Sequence, residues 1–229
     1  MADDPVFLIT GASSGIGAAT ARHASQAGYR LVLTARREAE LRALAGELGG
    51  DQRALVLPTD VTEWEAQEAM VAGTLEAFGR IDVVFANAGF GAGRGFKKET
   101  PELWRAMVLT NVLGAAYTIR ATMDALTETQ GHLLLTSSVA GRRALEGSLY
   151  SATKHAVTAM AESARLEFSD TGVRVTSIEP GMVDTPFFDN RPDGALHPDD
   201  IARAVIYAVT QPAHVDINEI LLRPVAQPS

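Results

Sequence analysis

Two residues of this 229-residue chain combine the types and the spacing needed for acid–base chemistry. Tyr150 and Lys154 stand four residues apart at the start of a helical pattern, which places both on one helix face, one turn apart. A phenol normally titrates near pH 10, but a nearby ammonium favours the phenolate and lowers the pKa. A shift of about three units needs about 4 kcal/mol, which a close charge in a partly desolvated cleft supplies. Alone, the pair is also typical of an ordinary helical face.

A glycine-rich turn precedes this pair by some distance in the chain and favours a phosphate site. It follows a short apolar run and opens a helical pattern, the context in which such glycines bind a dinucleotide. Gly11 permits a tight turn, Gly15 lets the backbone approach a pyrophosphate, and Gly17 allows close packing of helix on strand. The helix N-terminus offers free N–H groups and a positive dipole to phosphate. The predicted contacts are Gly11, Ser13, Ser14, Gly15, Ile16 and Gly17. A turn that binds nothing is the alternative.

The residues after the second predicted strand indicate which dinucleotide is bound. Sites for NAD usually carry an acidic residue there, about 20 positions beyond the glycines, to bind the ribose 2′-hydroxyl. This chain has Ala35 at that place, followed by Arg36 and Arg37. Guanidinium groups make charge-assisted, often bidentate bonds to phosphate, so this pair favours the 2′-phosphate of NADP(H). Two solvated arginines at the start of a helix are the alternative interpretation.

Short apolar runs alternate with longer amphipathic stretches along the whole chain, and these elements must position the candidate residues. The pattern predicts strands at 6–10, 30–34, 54–57, 81–86, 132–137, 174–178 and 218–222. It predicts helices at 15–27, 38–48, 63–78, 102–128, 149–169 and 198–209. Such alternation is typical of an α/β fold with a doubly wound, mainly parallel sheet of about seven strands and helices on both faces (Rossmann-type). We find no linker or repeat and therefore predict one catalytic domain over residues 1–229, with 185–198 as a candidate lid.

Composition restricts the classes of function. Hydrophobic residues make up 46% of the chain and the net charge is −8, which disfavours binding to nucleic acid. The chain has no cysteine, which excludes thiolate catalysis, and its five histidines lack the spacing of a metal site, so we predict no metal. The acidic N-terminus does not resemble a secretory signal and no apolar run is long enough to span a membrane. We therefore expect a cytoplasmic protein that does not bind membranes.

Together these motifs resemble the short-chain dehydrogenase/reductase family, and the resemblance covers essentially the whole chain. The glycine turn is followed by six further motifs in the order that is typical of the family. These later motifs are Asp60-Val61, Asn87-Ala88-Gly89, Asn111, Ser137-Ser138, Tyr150 with Lys154, and Pro180-Gly181. Their joint occurrence is far more specific than any of them alone.

The resemblance implies a role for each matched residue. Tyr150 would exchange a proton with the substrate oxygen, and Lys154 would lower the phenol pKa and hold the cofactor ribose. Ser138 would hydrogen-bond the substrate oxygen and Asn111 would position a water. Tyr150, Lys154, the glycine turn and the Arg36–Arg37 pair would meet the cofactor. So would Asp60, Val61, Asn87, Ala88, Gly89, Pro180, Gly181, Val183 and Thr185.

The chain departs from the family pattern at two places. The interval from Ser138 to Tyr150 is one residue shorter than expected, which leaves Ser137 as a contender and puts the intervening loop in doubt. Ala86 stands where the family commonly has a first asparagine, which removes a hydrogen bond of the sheet. The run 218–224 is similar to a subgroup of NADP-dependent hydroxy-acid and aldehyde dehydrogenases.

The predicted function is hydride transfer between NADP(H) and a small carbonyl or alcohol substrate. Phe90, Leu145, Phe187 and Phe188 are candidates for an apolar substrate pocket. Arg142 and Arg143 either attract an anionic substrate or are solvated loop charges. A different reaction on the same scaffold, such as epimerisation, and a nonenzymatic NADP(H)-binding sensor or scaffold protein are the alternatives. The family is commonly oligomeric, so we expect a homodimer or homotetramer, with the helices at 102–128 and 149–169 as a candidate interface.

Overall fold

The structure is a computed structural model that describes residues 4–187 and 193–227. Its strands are β1 (Val6–Thr10), β2 (Arg30–Ala35), β3 (Ala54–Pro58), β4 (Val83–Ala86), β5 (His132–Thr136), β6 (Arg174–Pro180) and β7 (Glu219–Leu222). Its α-helices are α1 (Gly15–Gln26), α2 (Glu38–Glu47), α3 (Trp64–Phe78), α4 (Pro101–Val108), α5 (Ala115–Thr129), α6 (Leu149–Glu167) and α7 (Pro198–Val209). The predicted strands are confirmed, and so are the predicted helices other than the one over 102–128, with boundaries that differ by a few residues.

The seven strands form one parallel sheet in the order β3-β2-β1-β4-β5-β6-β7. This is the predicted doubly wound α/β sheet. The order reverses between β1 and β4, and the crevice at such a reversal is where ligands of open α/β sheets bind.

Alternating side chains of the strands separate the core into two layers. Phe7 and Ile9 of β1 pack with buried residues of α1, α2 and α7 on one face of the sheet. Val6 and Leu8 pack with buried residues of α3, α5 and α6 on the other face. Because both faces of β1 are covered, the strand is apolar throughout, as the sequence requires of a buried parallel strand.

The helix predicted over 102–128 is interrupted. A π-helical segment, Leu109–Gly114, separates α4 from α5, and the backbone stays right-handed through the junction. A π turn is wider than an α turn and is often found at functional sites. Gly114 lies against Val61, since a Cβ at Gly114 would stand 2.7 Å from the Val61 Cγ2 atom. The segment therefore lies beside the turn that follows β3.

Candidate active site

A cavity of about 870 Å³ opens at the carboxyl edge of the sheet, where residues that follow each of the first six strands meet. A volume of this size is typical of a site for a cofactor or small molecule. The structure brings nearly all of the predicted site residues to its wall. Those that line it are Gly11, Ser13, Ser14, Gly15, Ile16, Arg36, Arg37, Asp60, Val61, Asn87, Ala88, Gly89, Ser138, Tyr150, Lys154, Pro180, Gly181, Val183 and Thr185. Gly17 and Asn111 are buried behind the wall.

The glycine turn has the close packing that its sequence predicts. Gly11 has φ +69°, and a Cβ there would stand 2.9 Å from the Ala88 Cα atom. A Cβ at Gly17 would stand only 2.4 Å from the Gly11 carbonyl oxygen. Helix α1 begins without a side-chain cap or an acidic residue in its first turn. Its N-terminal N–H groups and its dipole are therefore directed at the cavity.

Two arginines stand at the same end of the cavity. The Arg37 guanidinium donates hydrogen bonds to the hydroxyls of Ser13 and Ser14, at 3.0 and 2.8 Å, and it lies 3.4 Å from Glu40. Arg36 also lines the wall. The cationic groups and the glycine turn thus form one continuous surface, which suits an anionic group attached to a dinucleotide.

Asn87 joins three strands at the centre of the crevice. Its side-chain Nδ2 donates to the Thr10 carbonyl at 3.0 Å, and its Oδ1 accepts from the Thr136 hydroxyl at 3.1 Å. The Asn87 and Ala88 backbone N–H groups donate to the Thr10 hydroxyl. Asn87 therefore fixes the relative positions of the loops after β1, β4 and β5. Its neighbour Ala86, which stands where the family commonly has another asparagine, has no polar side chain to make such bonds.

The Tyr–Lys pair occupies the first turns of α6, as predicted. The helix begins at a capped turn, because the Ser148 hydroxyl accepts from the Ser151 N–H at 3.1 Å. The Lys154 Nζ atom lies 5.7 Å from the centre of the Tyr150 ring and donates to the Thr136 carbonyl at 2.6 Å. The Phe187 ring meets the Tyr150 ring edge-on, with 5.5 Å between the two ring centres.

The protonation of this pair differs from the expectation. Burial raises the pKa of Tyr150 to about 12, and a hydrogen bond with Ser138 opposes that rise. Burial also lowers the pKa of Lys154 to about 8. This direction is opposite to the lowering that the sequence predicts from Lys154 together with an oxidised nicotinamide. The physical reason is that burial disfavours the phenolate more strongly than the hydrogen bond with Ser138 favours it.

The two candidate serines make different contacts. The Ser137 hydroxyl is used inside the protein, where it donates to the Lys154 carbonyl at 3.0 Å and lies 2.7 Å from the Thr158 hydroxyl. The Ser138 hydroxyl lines the cavity and bonds with Tyr150, and it also donates to the Pro180 carbonyl at 3.2 Å. Both serines line the cavity, but the hydrogen bond with Tyr150 is made by Ser138, which favours the assignment made from the sequence.

Asn111 lies in the π-helical segment and its side chain is occupied by protein. Its Oδ1 accepts from the Phe90 N–H at 3.0 Å, and its Nδ2 donates to the Phe90 carbonyl and the Thr153 hydroxyl at 2.9 and 3.1 Å. Both N–H hydrogens of the amide are thus used. The side chain clamps the loop after β4 onto α6, and the positioning of a water by Asn111 stays a prediction.

Several residues of the wall were not among the predicted site residues. Gln227 is the most distant in sequence, and its Oε1 accepts from the Met182 N–H at 2.9 Å beside Gly181. The local sequence of residues 224–227 does not predict this contact. The remaining cavity residues outside the predicted site include Thr59, Phe90, Ala92, Arg94, Thr110, Arg143, Leu145, Ser148, Met182 and Phe187. Phe90, Leu145 and Phe187 were expected in an apolar pocket, whereas Phe188 lies outside the described residues.

The predicted lid at 185–198 is described only in part, because residues 188–192 lie outside the described ranges. Thr185 and Phe187 line the cavity at one end of the segment. At the other end Leu196 pairs with Val183, with hydrogen bonds that join Leu196 to Met182 and to Asp184. Covering of the site by this segment stays a prediction.

Comparison with known proteins agrees with this geometry. The family described as short chain dehydrogenase matches residues 5–195. An uncharacterised oxidoreductase of Staphylococcus saprophyticus is 41% identical over 97% of this chain and 98% of its own length. An alcohol dehydrogenase of the archaeon Thermococcus sibiricus, solved with 5-hydroxy-NADP, has a TM-score of 0.92 at 34% identity over 99% of both chains. A serine dehydrogenase solved in its closed form with NADP+ has a TM-score of 0.90 at 33% identity, covering 98% of this chain and 96% of its own. The chain belongs to the short-chain dehydrogenase/reductase family of oxidoreductases.

Proposed function

We propose that this protein transfers hydride between NADP(H) and a small carbonyl or alcohol substrate, with Tyr150 as the general acid and base. The observation that carries the proposal is the assembly of Ser138, Tyr150 and Lys154 on one wall of a cavity that also contains the glycine turn. The fold alone does not assign a reaction, because one fold hosts many reactions. The proposal therefore depends on the side chains of the site and not on the fold.

The residues present fit a phosphorylated dinucleotide. The uncapped start of α1 offers N–H donors to the pyrophosphate. Gly15 has φ +54°, a conformation that favours glycine, and a Cβ there would stand 3.2 Å from the Thr185 side chain. Arg36 and Arg37 would hold the 2′-phosphate, and Lys154 would hold the ribose near the nicotinamide. The NADP-bound states of the two solved relatives support the same preference.

When bound, the nicotinamide supplies or accepts the hydride, and the protein orients the substrate and moves the proton. In the reduction, the Tyr150 hydroxyl gives its proton to the substrate oxygen as negative charge develops there. Its pKa of about 12 keeps the phenol protonated at neutral pH, so the acid is ready. The Ser138 hydroxyl turns from the Pro180 carbonyl to donate to the same oxygen. The Lys154 ammonium stabilises the phenolate that remains.

In the oxidation, the same phenol must lose its proton first. Burial opposes that loss, so the reaction needs further positive charge near the hydroxyl in addition to Lys154.

The test measures oxidation of NADPH and of NADH against a panel of small aldehydes, ketones and keto acids, with Tyr150→Phe alongside. We expect turnover with NADPH preferred, and loss of at least about a hundredfold in kcat for the variant, since general acid–base catalysis contributes about that much. NADPH binding by the variant, followed by fluorescence, is the control for folding.

Undiminished turnover by Tyr150→Phe would exclude the proton-transfer role. Tight NADPH binding with no turnover on any panel member would favour the sensor or scaffold function instead. Formation of an epimer or a dehydrated product without net cofactor oxidation would favour a different reaction on the same scaffold.

The location, the partners and the assembly of the enzyme are also part of the proposal. Among the helices of the described ranges, none is both long and apolar enough to cross a membrane. The described residues also contain no group of three or more His, Cys, Asp or Glu side chains arranged to hold a metal ion. We expect the enzyme to act in the cytoplasm on small molecules, without a nucleic-acid or membrane partner, as a homodimer or homotetramer.

A further inference from the structure

The end of the cavity near Tyr150 is unevenly charged. Arg94 and Arg143 line it together with apolar residues, and Asp60 is the one carboxylate on the wall of the described chain. Asp60 follows β3, beside the turn that precedes α3, where its Oδ1 accepts from the Thr62 N–H at 3.0 Å. The substrate end is therefore cationic in a chain whose net charge is −8.

Two neighbouring arginines, Arg142 and Arg143, lie against different parts of the protein. The Arg142 guanidinium donates to the fully buried Glu179 carboxylate at 2.5 Å and also pairs with Glu219, so it belongs to the edge of β6 and β7. Arg142 is therefore unavailable to a substrate. Arg143 lines the cavity instead, and its carbonyl accepts from the Ser151 hydroxyl at 2.9 Å. That bond fixes the Arg143 backbone to the residue after Tyr150.

Arg94 reaches the same place from a different loop. Its neighbour Gly95, with φ +113°, donates from its N–H to the Gly147 carbonyl at 2.8 Å. A Cβ at Gly147 would stand 2.8 Å from the Gly95 nitrogen, so the two loops meet through backbone. On the other side of Arg94, the Gly93 N–H donates to Glu99 at 2.7 Å. These two anchors hold Arg94 next to the short loop that leads into Tyr150.

The side chain of Arg94 is exposed to the cavity and makes no ion pair with any described residue. We propose that Arg94 recognises an anionic group of the substrate, so that the enzyme acts on carbonyl compounds bearing a carboxylate or a phosphate. A planar guanidinium is suited to either group, and a cationic cleft in an acidic protein concentrates anions. This inference rests on the proposed function and names the substrate class of the same site.

The test compares anionic and neutral carbonyl compounds in pairs: 4-oxobutanoate with its methyl ester, and glyceraldehyde 3-phosphate with glyceraldehyde. Within each pair, the ratio of kcat/KM values measures recognition of the anion, and the two pairs distinguish carboxylate from phosphate. We expect the parent enzyme to prefer at least one anion. Arg94→Gln should lower that preference about tenfold, because a neutral amide does not make the charge-assisted bond.

Lys97→Gln is the matched control, since it removes one positive charge from the same loop at an exposed position outside the cavity wall. It should leave the preference unchanged. An equal loss in both variants, or a parent that turns over the neutral compounds as well as the anionic ones, would overturn the proposal.

A second measurement does not depend on turnover. Binding of 4-hydroxybutanoate and of glycerol 3-phosphate to the NADPH complex, followed by cofactor fluorescence, should be saturable in the parent and weakened in Arg94→Gln. Failure of both anions to bind would overturn the proposal even if neutral aldehydes are reduced. Binding of an anion without any turnover would support anion recognition while contradicting the proposed function.

Discussion

Tyr150 and Lys154 show how one buried wall affects two ionisable side chains. Burial favours the uncharged form of each, so it raises the pKa of Tyr150 to about 12 and lowers that of Lys154 to about 8. At pH 7 the phenol keeps its proton and the lysine remains a cation with 4% of its surface exposed. A buried cation that bonds only with a carbonyl and lacks a carboxylate partner among the described residues lowers the stability of the fold.

Lys154→Met should therefore stabilise the free protein while it removes the proposed activity. The pKa shift of Lys154 corresponds to a destabilisation of about 3 kcal/mol below pH 8, and loss of the bond to the Thr136 carbonyl offsets about 1 kcal/mol or more of the gain. Denaturant unfolding at pH 7 should show a net gain of about 1–2 kcal/mol. A large loss of stability instead would show that the ammonium supports the fold.

The pH dependence of the free energy of unfolding tests independently whether the buried Lys154 ammonium destabilises the fold. A lysine whose folded pKa lies below its unfolded value binds fewer protons when folded, so its destabilising effect is relieved as pH rises from about 8 to about 10.5. The parent should therefore gain stability relative to Lys154→Met across that window. Parallel curves for the two proteins would contradict the assigned pKa.

Residue-level prediction from the sequence succeeded where a motif specifies contacts and was incomplete where contacts depend on the fold. The Tyr150–Lys154 spacing places both on one face because helix geometry is local. The choice between Ser137 and Ser138 depends on α6, whose Lys154 carbonyl and Thr158 hydroxyl occupy Ser137. The pKa of Tyr150 depends on burial by the whole wall, which spacing does not report.

At the scale of elements, the strands follow from apolar runs, but the break in the helix after residue 108 does not follow from its periodicity. The π-helical segment contains Asn111, whose amide bonds with Phe90 and Thr153 from other parts of the chain. An asparagine in a helix is only mildly unfavourable, so local propensity does not predict a π turn. The family resemblance predicts that Asn111 positions a water, and in the structure its side chain also joins a loop to a helix.

The junction of β1 and α1 allows a matched pair of glycine substitutions. A Cβ at Gly17 meets the Gly11 carbonyl at 2.4 Å, whereas a Cβ at Gly46 of α2 meets nothing within 4 Å. Gly17→Ala should destabilise the protein by about 1–3 kcal/mol and weaken NADPH binding, because the turn must open. Gly46→Ala should stabilise it by about 0.5–1 kcal/mol, since alanine favours the helix.

Thermal unfolding and NADPH titration of both variants check this pair. Equal effects of the two substitutions on unfolding would show that the contact between turn and helix is not tight. Normal NADPH binding by Gly17→Ala would remove the turn from the proposed cofactor site.

At the scale of the whole molecule, exposed apolar side chains of the described residues lie on both layers of helices, besides those of Phe96, Phe187 and Val225. Leu166 of α6 is 60% exposed, and Val108 at the end of α4 is also exposed. On the other side of the fold, Tyr207 of α7 is 58% exposed, next to the edge strand β7 with its exposed Leu221. Single exposed apolar residues are ordinary, but an uncovered edge strand and long helices with exposed apolar residues favour association of copies.

Light scattering on Leu166→Glu and on Tyr207→Glu separates the two expected assemblies. If the helices at 102–128 and 149–169 form the interface of a homodimer, Leu166→Glu should halve the mass, because a buried carboxylate without a partner weakens the contact. Tyr207→Glu should then leave the mass unchanged. In a homotetramer with two interfaces, each substitution should halve the mass and the double variant should yield single subunits. A parent protein with the mass of one subunit would contradict both, and the cavity would then have to be complete within one chain.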